Sequence, residues 1–248
     1  MNSAFYLSFF AGISTVLGSI FLFFKFKNEN LLIGRALAFT SGVMAAVSLF
    51  DLIPTAFIDL LDIIYVFPSI IITALFIVMG IIFSMFSNRI LSNNNYVNKD
   101  RLYKTGIFSM ITIILHNIPE GVATFLTATT NIKLGISLAI AIALHNIPEG
   151  ISVSIPIYYS TKSKCKAILY TIVAGISEFL GAIIAFLFFA KFKVDLFLTF
   201  LYLIIAGIML SLVVEELLPT SFRYLKKFSV VVLFIVGFSF MVIVKILL

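Results

Sequence analysis

The chain has two histidines, His116 and His145, and both begin the same phrase, HNIPEG, at 116–121 and again at 145–150. On a helix the His and Glu of H-N-I-P-E stand four residues apart. Their side chains therefore leave one face about one turn from each other and can grip a shared cation. Imidazole nitrogen with carboxylate oxygen suits Zn²⁺, Fe²⁺ or Mn²⁺, whereas Mg²⁺ and Ca²⁺ prefer all-oxygen shells. Asn117 and Asn146 add amide oxygens turned about 100° around the helix, toward a second subsite. Pro119 and Pro148 cannot donate the helical hydrogen bond, which frees the carbonyls of Leu115 and Leu144 and kinks the helix. Gly121 and Gly150 let two such helices come close. Proline and glycine alone are common in apolar helices. Both histidines with Asn, Pro, Glu and Gly in one duplicated order point instead to metal ligation, by His116, Asn117, Glu120, His145, Asn146 and Glu149.

The elements that carry these residues are set by the solvent. With 62% hydrophobic and 11% charged residues and a mean hydropathy of +1.19, the chain lies far from soluble domains. It reads as an all-α integral membrane protein, a single polytopic domain. Apolar runs long enough to span occur at 4–24, 33–57, 63–86, 106–129, 133–158, 167–190, 196–218 and 228–248, eight in all. The first lacks a basic leader and is expected to be retained. Cys165 is the only cysteine, so no intrachain disulfide can form. The connectors are short and polar; the Asn-rich third, around 87–104, reads as a disordered linker.

Lys and Arg accumulate on the cytoplasmic side of such proteins. Thirteen of the seventeen basic residues fall in the first, third, fifth and seventh connectors; Lys133, Lys191, Lys193 and Lys245 fall elsewhere. Both termini are then extracytoplasmic. The net charge of +6 is loop charge of this kind, suited to topology and anionic lipid rather than to nucleic acid. Acidic residues behave differently: Asp51, Glu120, Glu149, Glu178, Glu215 and Glu216 lie in or at the ends of apolar spans. A carboxylate there costs at least about 2.5 kcal/mol unless it has a partner, a wet cavity or a function.

An internal repeat points to transport. GVMAAVSLFDLIPT (42–55) matches GIMLSLVVEELLPT (207–220) at an offset of 165, pairing Gly42 with Gly207, Asp51 with Glu216, Pro54 with Pro219 and Thr55 with Thr220. By the charge count the second span runs outward and the seventh inward, so the copies are inverted, as are the two HNIPEG spans. Inverted repeats with interrupted helices around a midplane site are the construction of alternating-access carriers. Asp51 then falls near the outer mouth and Glu216, beside Glu215, near the inner mouth, as pathway carboxylates.

These motifs resemble the ZIP family of divalent-metal transporters, closest in pattern to its compact bacterial members, and the resemblance covers the whole chain. It implies eight helices in a 3+2+3 arrangement with inverted repeats, in the cell inner membrane, and an elevator-like movement of a four-helix metal-bearing unit. It also implies a binuclear midplane centre in which Glu178, from SEFLGA in the sixth span, joins the six HNIPEG ligands. Three departures stand out: Phe179 follows Glu178 where Pro is frequent, Thr55 replaces a frequent carboxylate, and the third connector has no His.

No cofactor is expected. The metal is cargo, Zn²⁺ before Fe²⁺, Mn²⁺ or Cd²⁺, and the partners are divalent metal ions, the lipid bilayer and, as the candidate assembly, a homodimer. A metal-dependent intramembrane hydrolase would use the same His/Glu cluster, but the zincin order H-E-x-x-H is missing and no third His exists. A metal-selective channel is the other alternative.

Overall fold

The computed structural model describes residues 1–24, 27–93, 100–189 and 195–247. Among these it is helical with no strand. Eight helices are long and apolar enough to cross a membrane: α1 Asn2–Phe23, α2 Glu29–Leu61, α3 Val66–Ile90, α4 Arg101–Thr130, α5 Ile132–Thr161, α6 Lys164–Phe188, α7 Leu196–Tyr224 and α8 Lys227–Leu247. All eight expected spans are present, but several run further than hydropathy suggests. Charged flanks stop an apolar run without stopping a helix. α4 begins five residues before its expected start, where the Asp100 carboxylate accepts from the Leu102 N–H at 2.8 Å and caps the first turn. The helix of α3 continues to Asn93, so the Asn-rich connector is not a linker over 87–93; 94–99 lie outside the described residues, as do Lys25, Lys99, Lys191 and Lys193 of the charge count.

The α4–α5 link is the single residue Asn131. Its extended backbone ends α4, and its Oδ1 accepts from the N–H groups of Lys133 and Leu134 at 3.1 and 3.3 Å. So short a turn makes α4 and α5 neighbours, and the two HNIPEG phrases stand side by side. Lys162, at φ 55, closes α5 in the left-handed conformation, and Ser163 caps α6 through the Lys166 N–H at 3.3 Å.

α1, α4, α5 and α6 pack on one another; α2 packs on α8 and α3 on α7, while α2–α5 and α4–α7 contacts join the groups. The α2–α8 and α3–α7 crossings are backbone contacts. A Cβ on Gly42 would strike the Phe234 carbonyl and one on Gly237 the Phe39 carbonyl. The same holds for Gly207 against Ile77 and Gly80 against Ile204. The equivalence Gly42 to Gly207 read from sequence is therefore repeated in the contacts. So are two widened π-helical turns, Ser48–Leu52 and Val213–Leu217, each just before a proline, Pro54 or Pro219. A widened turn accommodates a ring that has no N–H and would clash with the carbonyl four residues back. α3 and α8 are the least buried, 11% and 22% of their most apolar windows, and their outward side chains need an apolar surrounding.

These crossings predict unequal tolerance of one methyl group. At Gly80 the obstacle is the Ile204 carbonyl, whereas at Gly106 the nearest atoms are the movable end of the Ile157 side chain. Gly80→Ala is expected to destabilise by about 1–3 kcal/mol. Gly106→Ala should cost less, because the gain in helix propensity offsets a small shift of Ile157. Thermal unfolding of the two purified variants in detergent checks the order.

Candidate metal site

The histidines do not pair with the carboxylates of their own helix. His116 of α4 meets Glu149 of α5, Nε2 to Oε2 at 2.9 Å, and His145 of α5 meets Glu120 of α4 at 3.3 Å. The i, i+4 spacing puts His and Glu on one face as expected, but the facing helix presents its own copy, and the closest contacts cross between them. The other nitrogen of His116, Nδ1, donates to the Thr112 carbonyl at 3.1 Å. That bond fixes the tautomer and leaves Nε2 as the nitrogen for a metal. A proton must lie between Nε2 and the Glu149 carboxylate for their contact to be a hydrogen bond, so a cation taking either lone pair displaces it.

Glu178 of α6 joins this group: its carboxylate accepts from Asn146 Nδ2 at 2.9 Å. The same amide donates to the Ala11 carbonyl of α1 at 3.0 Å, and Asn117 Nδ2 donates to the Ala174 carbonyl of α6 at 3.2 Å. Both amide nitrogens are held by backbone oxygens, so both Oδ1 atoms are free to accept. His116, Asn117, His145, Asn146, Glu149 and Glu178 are at most 2% exposed and Glu120 is 6% exposed, yet several of their polar atoms have no partner. These are Asn117 Oδ1, Asn146 Oδ1, Glu149 Oε1, Glu178 Oε1 and His145 Nδ1. Each such orphan costs about 1–3 kcal/mol. All five are nitrogen or oxygen donors of the kind a transition-metal ion takes. Among the described residues no three His, Cys, Asp or Glu side chains already converge as a closed cage. The arrangement is instead pairs, with amide oxygens between.

Asp51 lies at one approach. A cavity of about 290 Å³ is lined by Asp51, Thr55, Glu120, His145, Tyr202 and Lys245, among others, so it reaches the His145–Glu120 pair. Through Ala123, Thr127 and Tyr202 it adjoins a wider cavity of about 550 Å³ that carries Asp59 and Asp62. Asp51 is ion-paired with Lys245 of α8. Its repeat mate Glu216 is 3% exposed, paired with Lys104 of α4 at 3.0 Å and accepting from Thr105 Oγ1 at 3.2 Å; Thr105 also meets Thr220. Glu215 points elsewhere, accepting from Asn88 of α3 at 3.0 Å. Of the three expected pathway acids, therefore, Asp51 lines the approach, Glu216 is sealed under Lys104 and Thr105, and Glu215 is turned to α3.

Sequence reasoning missed three features. Lys104 enters the sequence reading only as connector charge, and Asp59 and Asp62 carry no expected role; their position about two and three helical turns beyond Asp51 is the available signal. The third is a repeat: AGISTVLG (11–18) in α1 is the copy of AGISEFLG (174–181) in α6. Phe179, where Pro is frequent, packs edge-on against Phe5 and Phe9 of α1 at 6.0 and 5.8 Å.

Comparison with known proteins decides the family. The sequence pattern of the ZIP zinc transporters matches residues 92–245. The chain belongs to the ZIP family. It is 34% identical to the zinc transporter ZupT of Campylobacter jejuni, over 95% of this chain and 92% of that one. It is 38% identical to ZupT of Lysinibacillus sphaericus over 89% and 88%, and 37% identical to ZupT of Oceanobacillus iheyensis over 90% of each. ZIP membership makes the duplicated His/Glu pairs part of a transporter rather than the centre of a hydrolase, and any metal they take is substrate.

The crossed pairing has a stability signature. His116→Leu leaves the Glu149 carboxylate buried without its partner, which is expected to cost about 3–5 kcal/mol. In the double variant His116→Leu/Glu149→Met most of that loss should be recovered, because an apolar pair of similar volume replaces both partners. Melting temperatures of the three metal-free proteins give the comparison.

Proposed function

We propose that this chain carries Zn²⁺ into the cytoplasm across a bacterial inner membrane, by alternating access through a binuclear centre of His116, Asn117, Glu120, His145, Asn146, Glu149 and Glu178. The observation that carries the reading is the pair of crossed, buried His–Glu contacts, surrounded by unpartnered oxygen and nitrogen atoms and reached by a cavity that Asp51 lines. The relatives' description as zinc transporters supports Zn²⁺ as the cargo. The ligand chemistry agrees with it, since imidazole, carboxylate and amide suit Zn²⁺ and, more weakly, Fe²⁺, Mn²⁺ and Cd²⁺.

Orientation follows from the charge count: both termini outside, Asp51 toward the outer mouth and Glu216 toward the cytoplasm. In that frame the cavity past Asp51 is the outer approach, and Lys104 with Thr105 closes the inner one over Glu216. The ligands sit on α4, α5 and α6, which pack with α1 as one group, while both pathway acids sit on α2 and α7. A movement of the first group against the second would carry the site from Asp51 toward Glu216 and break the Lys104–Glu216 pair, an elevator in outline. Mixed nitrogen and oxygen ligands without thiolate suit reversible loading. An inward M²⁺ gains roughly 4.6 kcal/mol from a 100 mV inside-negative potential, so no nucleotide is required.

The test is flux of Zn²⁺, Fe²⁺, Mn²⁺ and Cd²⁺ into proteoliposomes holding the parent, Glu120→Ala or Glu149→Ala. Zn²⁺ flux should fall by at least about tenfold in each variant, as loss of a metal-binding partner typically costs about 10–100-fold. Unimpaired flux in both would overturn the site assignment.

A further inference from the structure

The repeat between α1 and α6 extends from sequence to contact. Six of eight residues agree between AGISTVLG and AGISEFLG, and Thr15 stands where Glu178 stands. Asn146 donates to the Ala11 carbonyl at 3.0 Å, and Asn117 donates to its counterpart, the Ala174 carbonyl, at 3.2 Å. Ser14 Oγ returns to Ala11 at 2.6 Å and Ser177 Oγ to Ala174 at 2.5 Å. A Cβ on Gly150 would strike the Thr15 carbonyl, and one on Gly121 the Glu178 carbonyl. Where α1 crosses α6, a Cβ on Gly12 would lie 3.0 Å from the Glu178 Cβ, and one on Gly175 would lie 3.3 Å from the Thr15 Cβ. The two side chains thus occupy equivalent places over the two glycines of the crossing. The match predicts that Thr15 faces Asn117 as Glu178 faces Asn146.

The chemistry of the two places differs. Glu178 brings a carboxylate that meets the Asn146 amide at 2.9 Å. Thr15 brings a hydroxyl that is 0% exposed and has no partner, and the Asn117 Oδ1 is likewise buried and unpartnered. A helical threonine ordinarily bonds the carbonyl four residues back. For Thr15 that carbonyl is Ala11, which already accepts from Ser14 and Asn146. The hydroxyl is left over, buried and unpartnered, on a side chain that stands over Gly175 of α6.

We propose that Thr15 Oγ1 and Asn117 Oδ1 form the uncharged half of the divalent-cation centre, a subsite of two neutral oxygens that holds a second ion weakly. This rests on the transport reading above. Three carboxylates, Glu120, Glu149 and Glu178, facing two divalent ions leave one excess positive charge; a fourth carboxylate at position 15 would cancel it. Threonine there makes the second ion the weakly held one, so that one ion is kept while the other is exchanged.

The test is equilibrium dialysis of the purified full chain against Zn²⁺, read by elemental analysis. The parent should show a tight and a weak class of ion. Thr15→Val should weaken the weak class by about tenfold and leave the tight class unchanged, a loss on the scale of one metal-supporting partner. Thr15→Ser should preserve both, and Thr15→Glu should tighten the weak class by at least about tenfold by adding the missing charge. Because the hydroxyl is unpaired without metal, metal-free Thr15→Val should melt no earlier than the parent, which separates lost binding from lost folding. Unchanged Zn²⁺ classes in both Thr15→Val and Thr15→Glu, or a single class in the parent, would overturn the proposal while leaving the transport reading in place. No Zn²⁺ bound by the parent would overturn both.

Discussion

A carboxylate inside an apolar helix must have a partner, and much of this architecture follows from supplying six of them. Glu149 has His116, Glu120 has His145, Glu178 has Asn146, Glu215 has Asn88, Asp51 has Lys245, and Glu216 has Lys104 with Thr105. In each case the partner comes from a different helix. α4 and α5 must therefore stand together, α6 must reach α5 across the small-residue face of α1, and α2 and α7 must each meet a lysine from elsewhere. Glycine carries close approaches, but not the one between α4 and α5 that the duplicated phrase suggests: Gly121 faces the Glu178 carbonyl of α6 and Gly150 the Thr15 carbonyl of α1, so these glycines seat α4 on α6 and α5 on α1.

The partners fall into two chemical kinds. Around the centre they are imidazole and amide, groups that can also ligate a transition metal and so can be exchanged for one. At Asp51 and Glu216 they are ammonium groups, which offer donors only and no lone pair to a metal. The centre keeps unpartnered acceptors in reserve, and the Glu216 end keeps none of its carboxylate oxygens idle: Oε1 meets Lys104 and Oε2 meets Thr105. The repeat makes the contrast informative. Asp51 and Glu216 sit in matching π-helical turns, yet one lines a cavity and the other is sealed, so sequence-equivalent places differ in access because different helices cover them.

The helices were legible because apolar length is read residue by residue, and the duplicated HNIPEG picked out the two helices whose His and Glu side chains meet. Helix ends were not legible in the same way, because Asp100 and Asn131 cap helices through single hydrogen bonds that hydropathy does not register. The spacing of His116 and Glu120 gave their common face correctly but not their partners. Which groups meet depends on a second helix whose position no local pattern contains. Glu215 and Glu216 look alike in sequence, but one residue is 100° of helical rotation, enough to turn one toward α3 and the other toward Lys104. Thr15 was not legible for a different reason: its residue type carries neither charge nor imidazole, and only the match of 11–18 to 174–181 sets it opposite Glu178.

X-ray absorption at the zinc edge of the Zn²⁺-loaded protein tests the central claim, that the two copies of HNIPEG make one metal centre across two helices. The account predicts a first shell of nitrogen and oxygen at about 2.0–2.1 Å, with outer-shell scattering from imidazole that falls when either His116 or His145 is replaced by alanine. Sulfur at about 2.3 Å, or an imidazole signal indifferent to one of the two histidines, would contradict it.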